Sequence, residues 1–322
     1  MNLNRNETIH DNSTGYSAAI HWLSIALVSV TVVLLIVGAL VTSNDAGDSV
    51  PDWPMSFGRW LIRGEHFTGN VRYEYSHRVV AGVVGIVTGV LAITIWLTPR
   101  ARRIRWLGLA AFATVVLQAL LGGLRVLFPG SKPLIAVPHA LVAQSFLCIG
   151  AAIALLSSRS WLNRTESVIA ETSWLSVRRL AIAGVVVVMI QLVLGAAFRH
   201  GAAGIEPHIA GAVVVTAVVG ATVVRALKTS GRDSYLKRPA IAASVLLVIQ
   251  IALGVLAYLA RLASADAPQP VEPMISLTVA HVVVGALTLI SVLSLAMRAL
   301  QVLRPLQSSA TAVVGAPREA GA

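Results

Sequence analysis

The stretch AAIHWLSIALVSVTVVLLIVGALVTS, residues Ala18 to Ser43, runs without a single Asp, Glu, Lys or Arg. About 20 apolar residues in a helix cross the roughly 30 Å of hydrocarbon in a bilayer, so this run is long enough to span one. Working outward, comparable runs recur at about 74 to 97, 104 to 124, 137 to 156, 178 to 198, 207 to 225, 239 to 260 and 274 to 297. Lipid offers the backbone no hydrogen-bond partner, so spanning segments are helices or closed barrels. A barrel shows shorter alternating strands, whereas these runs are long and rich in Gly, Ala and Val. The pattern predicts an all-α polytopic membrane protein with eight transmembrane helices. Composition agrees: of 322 residues, 56% are apolar and 12% charged, against roughly 25% charged in soluble domains. Disorder, collagen and an ordinary soluble enzyme are excluded.

The formal net charge of +11 would suggest nucleic acid on a soluble domain. Here 17 of the 25 Lys and Arg fall in the N-terminal tail, the alternate loops near 100–105, 159–179 and 225–238, and the C-terminal tail. The opposite loops hold 7. The positive-inside rule places both termini in the cytoplasm and removes the need for a nucleic-acid partner. Residues 1–17 are polar and mildly acidic, unlike an Arg-rich targeting peptide, and no removable signal is evident. The one cysteine, Cys148, excludes an intrachain disulfide and a Cys-based metal centre.

The chain repeats itself. Gln118-Ala-Leu-Leu-Gly122, Gln191-Leu-Val-Leu-Gly195 and Gln250-Ile-Ala-Leu-Gly254 stand near the outer ends of three odd-numbered spans, with Leu34-Leu-Ile-Val-Gly38 at the equivalent place in the first. This pattern reads first as small-residue helix packing. Each following span carries a histidine near its outer start: His77, His139, His208 and His281. Four helix pairs therefore form two pseudo-symmetric four-helix bundles, residues 1–160 and 161–304, followed by a tail at 305–322 whose composition reads as disordered. The spans are read as free of internal proline, with Pro138 and Pro207 in first turns beside their histidines.

Histidine inside a membrane is costly and usually functional. Two imidazoles on parallel helices can face across a bundle, which suits axial ligation of heme iron; zinc needs further ligands that are scarce here. His77 and His139 sit at similar depth. His281 follows Pro273 by eight residues whereas His208 directly follows Pro207, a mismatch of about 10 Å at the helical rise. Only the first bundle adds an acid: Glu74 lies three residues before His77, which places both on one side of the helix. Glu206, two residues before His208, diverges. Arg78, Arg125 and Arg199 stand beside these positions and suit heme propionates or interfacial snorkelling. Val50-Pro-Asp-Trp-Pro54 reads as an ordered lid or an interfacial anchor.

Glu74-Tyr-Ser-His-Arg78, Gly38-Ala-Leu-Val-Thr42, Pro51-Asp-Trp-Pro54 and the histidine on each even span together resemble the heme A synthase family, over about residues 18–297. The resemblance implies oxidation of the C8 methyl of heme O to the formyl of heme A by successive hydroxylations, with Glu74 as the essential acid. It implies His77 and His139 for the substrate heme and His208 and His281 for a heme b. Many relatives carry a cysteine pair flanking the loop; here Val50 and Ser56 stand there, as in cysteine-free members. The expected setting is a bacterial inner membrane with both heme sites toward the outer face. Heme O synthase, a membrane electron acceptor and a second copy of the chain are candidate partners. The rival readings are a bis-His diheme electron carrier that alters no heme and, more remotely, a repeat-built transporter.

Overall fold

The computed structural model describes residues 15–99, 101–128, 130, 132–164, 169–171, 175–231, 233–267 and 271–305. The N-terminal residues read for a targeting signal lie largely outside this set, as does the tail beyond Pro305. Eight long helices cross the molecule: α1 (Ala18–Ser43), α2 (Val71–Leu97), α3 (Arg102–Leu127), α4 (Lys132–Leu156), α6 (Val177–Arg199), α7 (Glu206–Ser230), α8 (Ser234–Ala263) and α9 (Glu272–Val302). A single turn, α5 (Arg159–Leu162), interrupts the central linker. The remaining regular structure among the described residues is one 3-10 turn, Gly64–His66, and a three-residue parallel pair of β1 (Ile169–Glu171) with β2 (Leu303–Pro305).

The helices overrun the apolar runs that announce them. Helix α2 begins at Val71, α4 at Lys132 and α8 at Ser234, and α9 extends to Val302. Helical hydrogen bonding continues past the hydrocarbon edge, where charged side chains reach water along their own stems. Two expectations about proline are corrected by this. Pro138 lies inside α4 instead of in its first turn, and Pro239 lies inside α8, so the spans do contain internal prolines. An internal proline frees the carbonyl four residues earlier. For Pro239 that carbonyl belongs to Tyr235, and Arg298 Nη1 donates to it at 3.1 Å.

Helices α1 to α4 share one core, built on Ile20, Leu27, Leu91, Ile95, Phe146 and Ile153. Helices α6 to α9 share another, built on Val188, Val219, Leu247, Leu289, Val292 and Leu295. The two meet where α1 and α4 pack on α9, and α4 on α6. Close approach uses small residues: an added Cβ at Gly108 would lie 3.1 Å from Ile95, and one at Gly184 3.1 Å from Val292. Large apolar side chains such as Ile86, Trp96, Val213 and Val248 point outward, as a lipid-facing surface requires. The linker is tied to the second core: Arg164 forms an ion pair with Asp233 and lies over the Tyr235 ring, which Arg298 covers as well. Gln301 accepts from the Tyr235 hydroxyl and donates to the Trp161 carbonyl.

Candidate functional site

The four histidines stand near one end of the molecule, on the second helix of each pair, and each meets the glycine of its partner helix. An added Cβ would lie 3.0 Å from Cε1 of His77 at Gly38, 3.7 Å from Cε1 of His139 at Gly122, 2.9 Å from Cε1 of His208 at Gly195 and 2.9 Å from Cε1 of His281 at Gly254. The repeated glycine therefore makes room for an imidazole. Its reading as packing alone is replaced by packing against a specific ring.

In the second bundle the two imidazoles meet edge to face, with centroids 6.2 Å apart and planes at 80°. The depth mismatch expected between His208 and His281 is absent. Glu272 starts α9 nine residues before its histidine, whereas Glu206 starts α7 two residues before His208, so the start of a helix does not mark membrane depth. An iron held between two imidazole nitrogens at about 2.0 Å each, with about 1.1 Å from nitrogen to ring centre, needs centroids about 6.2 Å apart. The observed spacing fits that requirement. His281 Nδ1 lies 3.1 Å from the Gln250 carbonyl oxygen, the kind of contact that fixes a tautomer, and its Nε2 lies 3.2 Å from the Gln250 side-chain Nε2.

In the first bundle, His77 and His139 are half-buried; Nδ1 of His139 is buried with no hydrogen-bond partner among the described residues, and His77 has only the Leu34 backbone beside it. A buried unpaired ring nitrogen is costly, so these rings suit a site whose occupant supplies the missing interaction. Arg125 and Arg199 come from the ends of α3 and α6. Arg125 Nη1 donates to the Gly47 carbonyl at 3.0 Å and approaches Asp48 at 3.7 Å. Arg199 Nη2 crosses between bundles to the Ala39 carbonyl and Ser43 Oγ, each at 2.7 Å. His200, which caps α6, lies among Arg199, Arg125 and His139. Burial first, and then the two arginines, push its pKa down to about 4, so it is neutral at physiological pH.

Glu74 is 4% exposed. Its Oε1 pairs with Arg78 Nη2 at 2.6 Å, and its Oε2 accepts from the Val50 N–H at 2.9 Å. Sequence spacing linked Glu74 to His77; the partner it meets is Arg78, four residues on, a pairing that the i, i+4 rule could have flagged. Arg78 in turn gathers the loop between α1 and α2. Its Nη1 donates to the carbonyls of Asp52 at 2.7 Å and Met55 at 2.9 Å, and Nη2 approaches that of Val50 at 3.3 Å.

The loop is folded over the bundle end. Trp53 packs on Gly123 so closely that an added Cβ would lie 2.5 Å from the indole, and Val50 is fully buried. Asp52 closes the turn by accepting from the Phe57 and Gly58 amides at 2.6 and 2.7 Å. Burial opposes its ionisation, but those amides and the Arg78 charge outweigh it and hold the carboxyl below its usual range. Trp60 and Leu61 on the same loop are exposed, as an interfacial anchor requires. Lid and anchor are thus successive parts of one loop.

Against known proteins, residues 20–208 match the family described as cytochrome oxidase assembly protein, COX15-CtaA. That match includes Glu74, His77 and His139 and ends at His208. Among curated proteins, the chain is 33% identical over 140 residues to the heme A synthase of Alkalihalophilus pseudofirmus, covering 43% of this chain and 45% of that one. It is 35% identical over 124 residues to the heme A synthase of Bacillus pumilus, covering 38% and 39%. For that of Geobacillus kaustophilus the identity is 29% over 133 residues, covering 41% of each. The chain spans less than half the length of the curated relatives it matches.

Proposed function

Because this chain belongs to the COX15-CtaA family of cytochrome oxidase assembly proteins, we propose that it is a membrane oxidoreductase that converts the C8 methyl of heme O to the formyl of heme A. The observation that carries this reading is the asymmetry between the bundles: both hold a histidine pair backed by glycines, but among the described residues only the first adds a buried carboxylate under an ordered lid. Residues 1–160 form the substrate bundle, residues 161–304 the bundle for a retained heme b. Replacing methyl by formyl with water as the oxygen source consumes one water and releases four protons and four electrons. Glu74 receives protons from substrate or attacking water, and a membrane electron acceptor takes the electrons.

His77 and His139 hold the substrate heme, and the lid excludes bulk water and orients it, which is where much of the rate comes from. His208 and His281 would hold heme b, which supplies one-electron redox capacity when bound. Arg125 and Arg199 each engage one Nη on the protein among the described residues, which leaves donors for propionates. Arg78 spends both Nη groups on the lid and reaches a propionate only once the lid lifts. The arrangement sits in a bacterial inner membrane with both termini cytoplasmic and the heme sites toward the outer face. Heme O synthase as donor and a second copy of the chain are the proposed protein partners.

Cells producing heme O, with and without this gene, provide the test: heme A in the chromatographed extract only when the gene is present is the expected result, and heme O alone overturns the activity. One observation favours a second reading, a diheme electron carrier, because the Arg78 and Val50 contacts give Glu74 a structural task of its own. Under that reading Glu74→Gln leaves the heme products unchanged.

A further inference from the structure

The four repeats are alike in sequence but unlike in how they hold their histidines. In the second bundle Gln191 Nε2 lies 3.1 Å from His208 Nδ1 and donates to the His208 carbonyl at 2.8 Å. Gln250 lies on His281 from two directions, its Nε2 at 3.2 Å from the ring Nε2 and its carbonyl at 3.1 Å from Nδ1. In the first bundle Leu34 occupies the glutamine position opposite His77. Gln118 makes no hydrogen bond to His139 among the described residues and His139 Nδ1 is unpartnered there, while His77 meets only the Leu34 backbone and no side-chain amide. His139 also stands farther from its glycine than the other three, at 3.7 Å against 2.9 to 3.0 Å.

A ring ligand whose second nitrogen is held has a fixed orientation and loses less freedom when it binds metal. A glutamine amide can present either its N–H or its oxygen, so it can follow the ring through either tautomer. The Oε1 of Gln191 is buried and unpartnered, ready for an Nδ1–H. We infer that Gln191 is a positioning residue whose side-chain amide clasps His208 for a heme that stays, while Leu34 and the disengaged Gln118 leave the first pair without such a side-chain clasp, for a heme that must enter and leave. This inference rests on the heme-site reading above. It adds that residence time is written into one repeat position.

The experiment follows transfer of heme from the purified full-length protein to apomyoglobin, with the low-spin electron paramagnetic resonance signal recorded alongside. Gln191→Leu is expected to speed release of the retained heme about tenfold or more and to shift that signal. Gln118→Leu, the same change at a repeat position that hydrogen-bonds no histidine among the described residues, is expected to do neither. Leu34→Gln is expected to slow release from the first bundle and raise heme per chain. Release from Gln191→Leu at the rate of the parent and of Gln118→Leu overturns the clasp but leaves the heme site standing. Heme b binding that survives His208→Ala and His281→Ala together overturns the site itself. If Gln191→Leu fails to fold, Leu34→Gln decides: slower release supports the clasp, unchanged release overturns it.

Discussion

The glycines opposite the histidines make the sharpest residue-level test, because one methyl group distinguishes them. Gly195→Ala and Gly254→Ala each put a carbon 2.9 Å from an imidazole carbon, closer than real contacts allow, so the ring must move. Each substitution is expected to reduce the heme retained on purification several-fold, read from the Soret absorbance per chain. Gly122→Ala, at 3.7 Å, makes an ordinary contact and is expected to leave the heme content unchanged. Glu74→Gln is expected to lower heme A formation about 100-fold or more with no change in the heme b content, measured by chromatography of extracted hemes. The histidines and Glu74 were legible in the sequence because buried polar residues stand out against apolar runs. What each one touches was not: Gln-x-x-Leu-Gly spacing says that two helices approach closely, but not that a ring fills the gap.

At the scale of elements, the loop joining α1 to α2 is held by side chains from α2 and α3, and its integrity is open to test through Trp53. Gly123→Ala is expected to eject the indole from its seat and to expose the loop to protease cleavage, with α2 and α3 themselves intact by circular dichroism. The start of α8 carries a pH dependence. Asp233 accepts from Arg164 and from the Tyr235 amide, and these outweigh a desolvation cost to hold its carboxyl below its ordinary value of 3.8. A lowered folded-state value means that its stabilisation is complete above that ordinary value and is lost as pH falls through the folded one. Hydrogen-exchange protection of the Tyr235 amide is therefore expected to hold at neutral pH and to fall below pH 3.8, and Asp233→Asn is expected to abolish this dependence. Helix existence was readable from hydropathy, since lipid permits little else. Helix ends were not, because the backbone ladder continues into the interface where composition turns polar, which is also why Pro138 and the offset of His281 were misplaced.

The whole molecule is two helical cores joined by few polar links, and Arg199 is one of them. Reaching from α6 to the last turn of α1, it places a cation at a helix C-terminus as well as two hydrogen bonds. Arg199→Met is expected to lower the thermal midpoint by several degrees, followed by the loss of heme absorbance on heating in detergent. The fourfold repeat motivated the two-bundle reading. The contacts between bundles were not legible, because they join residues some 160 positions apart in the chain. The account as a whole stands on imidazole pairs ligating iron, and it meets its most direct test in a pyridine hemochrome spectrum, with chromatographic heme identification, on the purified full-length protein. Bound heme b that disappears in the His208→Ala and His281→Ala variants, beside heme O or heme A that depends on His77 and His139, is the expected result; a cofactor-replete preparation with no Soret absorption contradicts it.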